Sequence, residues 1–250
     1  MKVIVDNIVT EYSDEGIGPV FLLLHGWKDT LHTFDLLTTF LLRKGRVVRL
    51  DLPGFGGTES PSEAWYLDDY VRFVKDFCAK VHIQSDVIIG HSFGGRIAIK
   101  AISSGAINPR KLVLIASAGV AKRRTFRNQL LSISAKVGKV ITIIPPLTFW
   151  RKQLRRKLYQ AIGSDYFESG SLKNTFLNVI NEDLSSCAPK ITVDTLLIWG
   201  DGDVVTLPSE GTLLSRLIPH SRLEVISGAG HFVHKEYPDK VAQLILDHTL

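Results

Sequence analysis

This 250-residue sequence predicts an α/β fold in which a mostly parallel sheet carries helices on both faces. Three observations lead there. Residues 20–24 are a solid apolar run, too short for a helix and typical of a strand covered on both sides, and the largely apolar runs at 112–116 and 195–199 read as strands as well. Between such runs lie stretches with apolar residues at helical spacing, as in Tyr66, Leu67, Tyr70, Val74, Phe77 and Cys78. The runs end in loops rich in turn formers, such as Asp51-Leu52-Pro53-Gly54-Phe55-Gly56-Gly57.

In chain order, residues 1–12 alternate apolar and polar side chains and meet Ser13-Asp14-Glu15-Gly16, which predicts one or two edge strands and then a turn. The strand at 20–24 ends in His25-Gly26-Trp27, and 33–42 read as an amphipathic helix. Residues 46–50 form the next strand, and a helix is expected over 63–81. The strand Val87-Ile88-Ile89 and a helix at 96–101 flank Gly90-His91-Ser92-Phe93-Gly94-Gly95, and the strand at 112–116 follows. After a long interruption come a strand at 195–199, a helix near 209–217, a strand at 223–226 and a last helix after Pro238.

The interruption begins after Gly119. Its residues read as helices broken by Pro145-Pro146, Gly163 and Gly170, and an insertion of this size between two strands predicts a cap over the strand ends. The expected division is a core of residues 1–118 and 189–250 with a cap of residues 119–188. The chain's net charge of +5 sits there: residues 119–188 hold twelve Lys or Arg against four acids, a surplus of +8 that leaves the remainder at −3. No acid occurs between 122 and 157, and Trp150, Leu154 and Leu158 recur every four positions, which puts the basic residues on the other faces of a helix. Such a face suits solvent, an anionic substrate or peripheral contact with an anionic membrane surface. No nucleic-acid-binding motif accompanies it, so no nucleic-acid partner is expected.

Cys78 and Cys187 fit neither a disulfide framework nor a metal-ligand spacing, which points to a reducing compartment. The N-terminal residues carry Asp6 and Asn7 where a signal peptide would be apolar, and no apolar run approaches the roughly 20 residues that cross a bilayer. A cytoplasmic, soluble protein is the expectation.

Chemistry concentrates at Gly90-His91-Ser92-Phe93-Gly94-Gly95. A strand-turn-helix corner forces Ser92 toward positive φ and closes only if the positions two before and two after it are small, as Gly90 and Gly94 are. The corner exposes the Ser92 hydroxyl at the C-terminal sheet edge and aims the Phe93 N–H at negative charge developing beside it. A serine hydroxyl needs a base to take its proton, and that base needs a carboxylate to orient it. Of eight histidines, His231 in Gly228-Ala229-Gly230-His231-Phe232 follows the last strand at that same edge, with His234 as its rival. His25 and His91 read as structural, and the others fall in helices or surface turns. The acid comes from Trp199-Gly200-Asp201-Gly202-Asp203, where spacing does not separate Asp201 from Asp203. Calcium is not expected there, because the further oxygen ligands of a binding loop are missing. A second oxyanion donor is expected in the Trp27 N–H, since His25-Gly26-Trp27 ends the strand beside the nucleophile strand.

His25-Gly26-Trp27, Asp51-Leu52-Pro53-Gly54-Phe55-Gly56, Gly90-His91-Ser92-Phe93-Gly94-Gly95, Trp199-Gly200-x-x-Asp203 and Gly228-Ala229-Gly230-His231-Phe232 together resemble the α/β-hydrolase superfamily, and within it the serine esterases. The resemblance covers the core and leaves the cap aside. It implies Asp203 as the acid and favours His231 over His234, which gives a Ser92, Asp203, His231 triad with Trp27 and Phe93 as oxyanion donors. The activity implied is a carboxylesterase acting on small esters through an acyl-enzyme, with no metal and no organic cofactor. A serine nucleophile excludes the relatives that form an alkyl ester on aspartate. Lactonases and hydrolases of carbon–carbon bonds of the meta-cleavage-product type share such a core, as do ligand-binding receptors. The absence of a His-Gly-Gly-Gly oxyanion loop implies that bulky tertiary esters are poor substrates.

Overall fold

The computed structural model describes residues 1–120 and 172–249. Their strands are β1 (Lys2–Val5), β2 (Ile8–Glu15), β3 (Val20–Leu24), β4 (Arg46–Leu50), β5 (Val87–His91), β6 (Lys111–Ile115), β7 (Asp194–Gly200) and β8 (Ser221–Ile226). Their helices are α1 (Asp35–Leu41), α2 (Leu67–Lys80), α3 (Phe93–Ser103), α4 (Lys173–Asn181), α5 (Pro208–Leu217), α6 (Val233–Glu236) and α7 (Pro238–Thr249). The strands make one sheet in the order β1-β2-β4-β3-β5-β6-β7-β8. β1 and β2 run antiparallel to their neighbours, and every pair from β4 to β8 is parallel.

Continuous apolar strands follow from a sheet buried on both sides. Leu22, Leu24, Ile88, Leu112 and Leu114 face a core built with Tyr70, Phe73 and Phe77 of α2 and Ile97 and Ala98 of α3. Their strand neighbours Phe21, Leu23, Ile89, Val113 and Ile115 face the opposite core, built with Leu37 and Leu41 of α1 and Val241 and Ile245 of α7. No helix among the described residues is long and apolar enough to cross a membrane.

The N-terminal hairpin differs from expectation. Its turn is Asp6-Asn7, both at positive φ (47° and 64°), a conformation these two residue types tolerate better than most. The polar stretch expected to turn at 13–16 instead continues β2 as far as Glu15, paired with β4 from Tyr12↔Leu50 to Glu15↔Val47. Arginines of β4 satisfy it: Arg46 donates to both carboxylate oxygens of Asp14 (2.7 and 2.6 Å), and Arg49 donates to Glu15 (3.0 Å).

Parallel register brings the strand ends that matter to one edge. Leu24 lies opposite Gly90, His91 opposite Ile115, and Gly200 opposite Ile226. The loops after β3, β5, β6, β7 and β8 therefore open side by side. Most of the expected cap, including its basic run, falls on residues 121–171 and so outside the described residues. Its C-terminal part packs into the core, with Leu172, Val179, Leu184 and Ala188 in the cluster that also holds α2 and α3.

Candidate active site

Ser92 occupies the corner between β5 and α3 with φ 49° and ψ −107°. A non-glycine residue held there costs about 1–3 kcal/mol, and the surrounding packing enforces it. A Cβ on Gly90 would lie 2.7 Å from the Gly94 carbonyl oxygen, and one on Gly94 would lie 2.0 Å from the Leu24 carbonyl oxygen, so neither position has room for a side chain. The Ser92 N–H donates to the Ile115 carbonyl (3.0 Å), which pins the corner to β6. Phe93 is the first residue of α3, and amides of a first helical turn have no partner within the helix.

The loop after β3 comes close to this corner: a Cβ on Gly26 would lie 3.4 Å from the Ser92 Cβ. His25 fixes the loop. The Leu52 N–H donates to its Nε2 (2.8 Å), so Nε2 carries no proton, and Nδ1–H donates to the Gly26 carbonyl (2.7 Å). Burial lowers the His25 pKa, the bond to Gly26 opposing it, so the ring stays neutral in this tautomer. Trp27 packs its ring edge-on against Phe55 (4.9 Å) and Phe93 (5.2 Å) and tilted against Phe176 (5.1 Å), an aromatic wall beside the corner.

Asp203 and His231 meet after β7 and β8. The His231 Nδ1 lies 2.8 Å from Asp203 Oδ2, and because a carboxylate only accepts, Nδ1 carries the proton. Nε2 is then the basic nitrogen. Asp203 is 2% exposed yet fully supplied with donors. Its Oδ1 accepts the Val205 (2.8 Å) and Thr206 (3.0 Å) N–H groups, and its Oδ2 accepts the Thr206 hydroxyl (2.8 Å) as well as the imidazole. Burial opposes the charge most strongly, but the bonds from His231, Thr206 and Val205 outweigh it and hold the carboxyl below its ordinary range.

Sequence comparison matches the alpha/beta hydrolase family model to residues 21–244, nearly the whole chain. The chain belongs to the alpha/beta hydrolase family. A monoacylglycerol lipase of Mus musculus is 29% identical over 259 residues, covering 93% of this chain and 76% of the relative. The crystal structure of a bacterial membrane phospholipase A superposes with a TM-score of 0.79 at 25% identity, over 99% of this chain and 84% of that one. A meta-cleavage product hydrolase from Pseudomonas fluorescens superposes with a TM-score of 0.76 at 23% identity, over 99% of this chain and 96% of that one.

In this alpha/beta hydrolase the two carboxylates left open by spacing have separate surroundings. Asp203 meets His231, whereas the exposed Asp201 accepts the Ser227 hydroxyl (3.0 Å) and the Gly228 N–H (2.8 Å), bracing the turn that precedes His231. His234 is fully buried with Nε2 3.0 Å from the Thr33 hydroxyl, and burial first, then the neighbouring His91, holds its pKa well below the ordinary value. The Ser92 hydroxyl makes no direct hydrogen bond to His231 among the described residues. The two loops are tied one residue upstream, where His91 Nε2–H donates to the His231 carbonyl (3.1 Å) with ring centroids 4.9 Å apart. Hydrogen bonds of this kind commonly tighten only once a substrate is bound. Burial keeps His91 well below its usual pKa, helped by the adjacent His231, so it remains a neutral donor.

Two contributors escaped the sequence reading. Phe176 of α4 adds a ring to the Trp27 wall. Thr206 places its hydroxyl within reach of Asp203, of the Ala116 carbonyl (3.0 Å) and of His231 Nδ1 (3.2 Å). The only signal was a hydroxyl residue three positions after an aspartate, the spacing of a local side-chain turn.

Proposed function

We propose that this chain is a serine hydrolase of carboxylic esters. The observation carrying this reading is the 2.8 Å bond between His231 Nδ1–H and Asp203, on loops opening at the sheet edge where the Ser92 hydroxyl sits on its strained corner. With Nδ1–H committed to Asp203, His231 Nε2 takes the Ser92 proton as the oxygen attacks the substrate carbonyl. The Trp27 and Phe93 N–H groups stabilise the tetrahedral oxyanion, each donor contributing roughly 3–4 kcal/mol. His231 returns the proton to the leaving alcohol, and the same base then activates a water that frees the acyl-enzyme. The cap of residues 119–188 selects substrates, with the aromatic wall of Trp27, Phe55, Phe93 and Phe176 favouring an apolar group beside the reacting carbonyl. The relative called a monoacylglycerol lipase acts, by that name, on an ester, which supports the same bond type here.

The test is hydrolysis of p-nitrophenyl acetate and butyrate, a lactone and a vinylogous diketone by one purified preparation, with a fluorophosphonate probe followed by mass spectrometry. Ester turnover with labelling confined to Ser92 is the expected result. Labelling with turnover of only the lactone or the diketone would reassign the substrate. No turnover together with no labelling of Ser92 would make the chain a ligand-binding member of its family.

A further inference from the structure

The Thr206 hydroxyl lies at a junction that the three-residue description of the site leaves out. Thr206 is 4% exposed, and its oxygen is 2.8 Å from Asp203 Oδ2, 3.0 Å from the Ala116 carbonyl oxygen and 3.2 Å from His231 Nδ1. A hydroxyl has one proton to give and two lone pairs to offer. Of its neighbours, the carboxylate and the carbonyl only accept, and the imidazole Nδ1–H only donates. The proton therefore lies toward Asp203 Oδ2 and Ala116 O, while a lone pair faces the Nδ1–H. Because acceptance by a charged oxygen is about twice as strong as by a neutral one, Asp203 holds the larger share.

That arrangement joins both halves of the site. Ala116, at φ 44°, directly follows Ile115, whose carbonyl receives the Ser92 N–H. Thr206 thus fastens the Asp203 loop to the end of β6, the strand that also holds the nucleophile corner. It also fills the fourth donor place on Asp203, whose Oδ1 already has two N–H groups and whose Oδ2 otherwise has His231 alone. We propose that Thr206 is a positioning residue of this centre: its shared hydroxyl proton fixes the plane of the Asp203 carboxylate against His231 and the distance of the acid loop from the Ser92 corner. The proposal rests on the reading of Ser92, Asp203 and His231 as the reacting set.

A merely structural threonine would affect stability, or activity evenly at all pH. A positioning hydroxyl makes a further difference. Without it the Nδ1–H loses one neutral acceptor at 3.2 Å but faces the undivided charge on Oδ2 at 2.8 Å, and the stronger, charged partner favours the imidazolium, so the acid limb of the kcat/KM profile moves to higher pH. The experiment compares the full-length wild type with T206S, T206V, T206A and S92A. It reads p-nitrophenyl butyrate hydrolysis from pH 5 to 9, the rate of fluorophosphonate labelling of Ser92, which needs no preferred ester, and thermal unfolding. T206V is expected to lose about ten- to a hundred-fold in kcat and in labelling rate, with KM within about twofold of wild type and the acid limb raised. T206S is expected to match wild type in all three. T206A, which leaves space where valine places a methyl against the Ala116 carbonyl, carries the same expectation if T206V unfolds. A folded T206V or T206A whose acid limb is unmoved overturns the proposal, whatever its rate, as does a folded T206S as impaired as T206V. Persistent labelling and turnover in S92A would sink the underlying triad reading; S92A inactive beside an unaffected T206V would sink only the role of Thr206.

Discussion

At the Ser92 corner the backbone leaves no latitude: a methyl on Gly94 would sit 2.0 Å from the Leu24 carbonyl oxygen, and one on Gly90 would meet Gly94 and Gly95 at 2.7 Å. At the Asp203–His231 pair placement is by hydrogen bonds, four on the carboxylate and one from His91 to the His231 carbonyl. Steric placement fails all at once, because no smaller residue than glycine exists and the clash is with main chain. Polar placement fails one bond at a time, each worth about 0.5–3 kcal/mol. On the proposed triad, the Ser92 half should therefore respond to substitution by losing chemistry outright or losing the fold, and the Asp203–His231 half by graded loss of activity in a folded protein.

The largest effect expected is from S92A, which removes the proposed attacking oxygen and nothing else: kcat on p-nitrophenyl butyrate should fall on the order of 10⁶-fold with the unfolding temperature little changed. D203N keeps the shape of the acid but replaces an acceptor by a donor facing Nδ1–H, and kcat should fall on the order of 10⁴-fold. It should also change the acid stability. Burial opposes the Asp203 charge, yet His231, Thr206 and Val205 hold its folded pKa below the unfolded one. Its contribution is thus complete above the unfolded value and lost as pH falls through the lower folded value. Below about pH 4, urea midpoints of the wild type should drop more steeply than those of D203N.

G94A tests the steric half. Urea unfolding should show a loss of about 3 kcal/mol or more, since the added methyl meets main chain and cannot be accommodated by a rotamer change. A G94A protein of wild-type stability would remove the contrast between the two halves. The smallest effect is from S92G, inactive but relieved of the left-handed strain at φ 49°, and more stable than S92A by about 1 kcal/mol in the same assay.

Much of the architecture was legible because its central strands are buried on both sides. Ile88 and Ile89 point into opposite cores, so the strand is apolar throughout and stands out from the amphipathic helices around it. At the sheet edge the two strands were legible in their alternation, but where they turn and end was not. Ser13-Asp14-Glu15-Gly16 has the composition of a turn, and it is pairing with the distant β4, with Arg46 and Arg49 meeting its carboxylates, that makes residues 13–15 a strand. In the site, the glycines around Ser92 and the small residues before His231 carry local meaning that a sequence displays. The choice between Asp201 and Asp203 does not: both leave β7 on the same loop, and what separates them is the company each keeps after folding. Thr206 escaped for a related reason: Asp203 lies three residues away on its own loop, but Ala116 and His231 reach it from two other loops.

Arg96 of α3 is 6% exposed and donates through Nη2 to the carbonyls of Val179 (2.7 Å) and Glu182, while Lys100 of the same helix reaches the Glu182 carboxylate (2.6 Å). The helix that starts beside Ser92 thereby grips the tail of α4, and α4 brings Phe176 to Trp27. Residues 173–182, inside the expected cap, are thus tied to the helix that begins beside Ser92. A hybrid that borrows another family member's segment in place of residues 121–171 would keep Ser92, Asp203 and His231 together with the ring of Phe176 against Trp27.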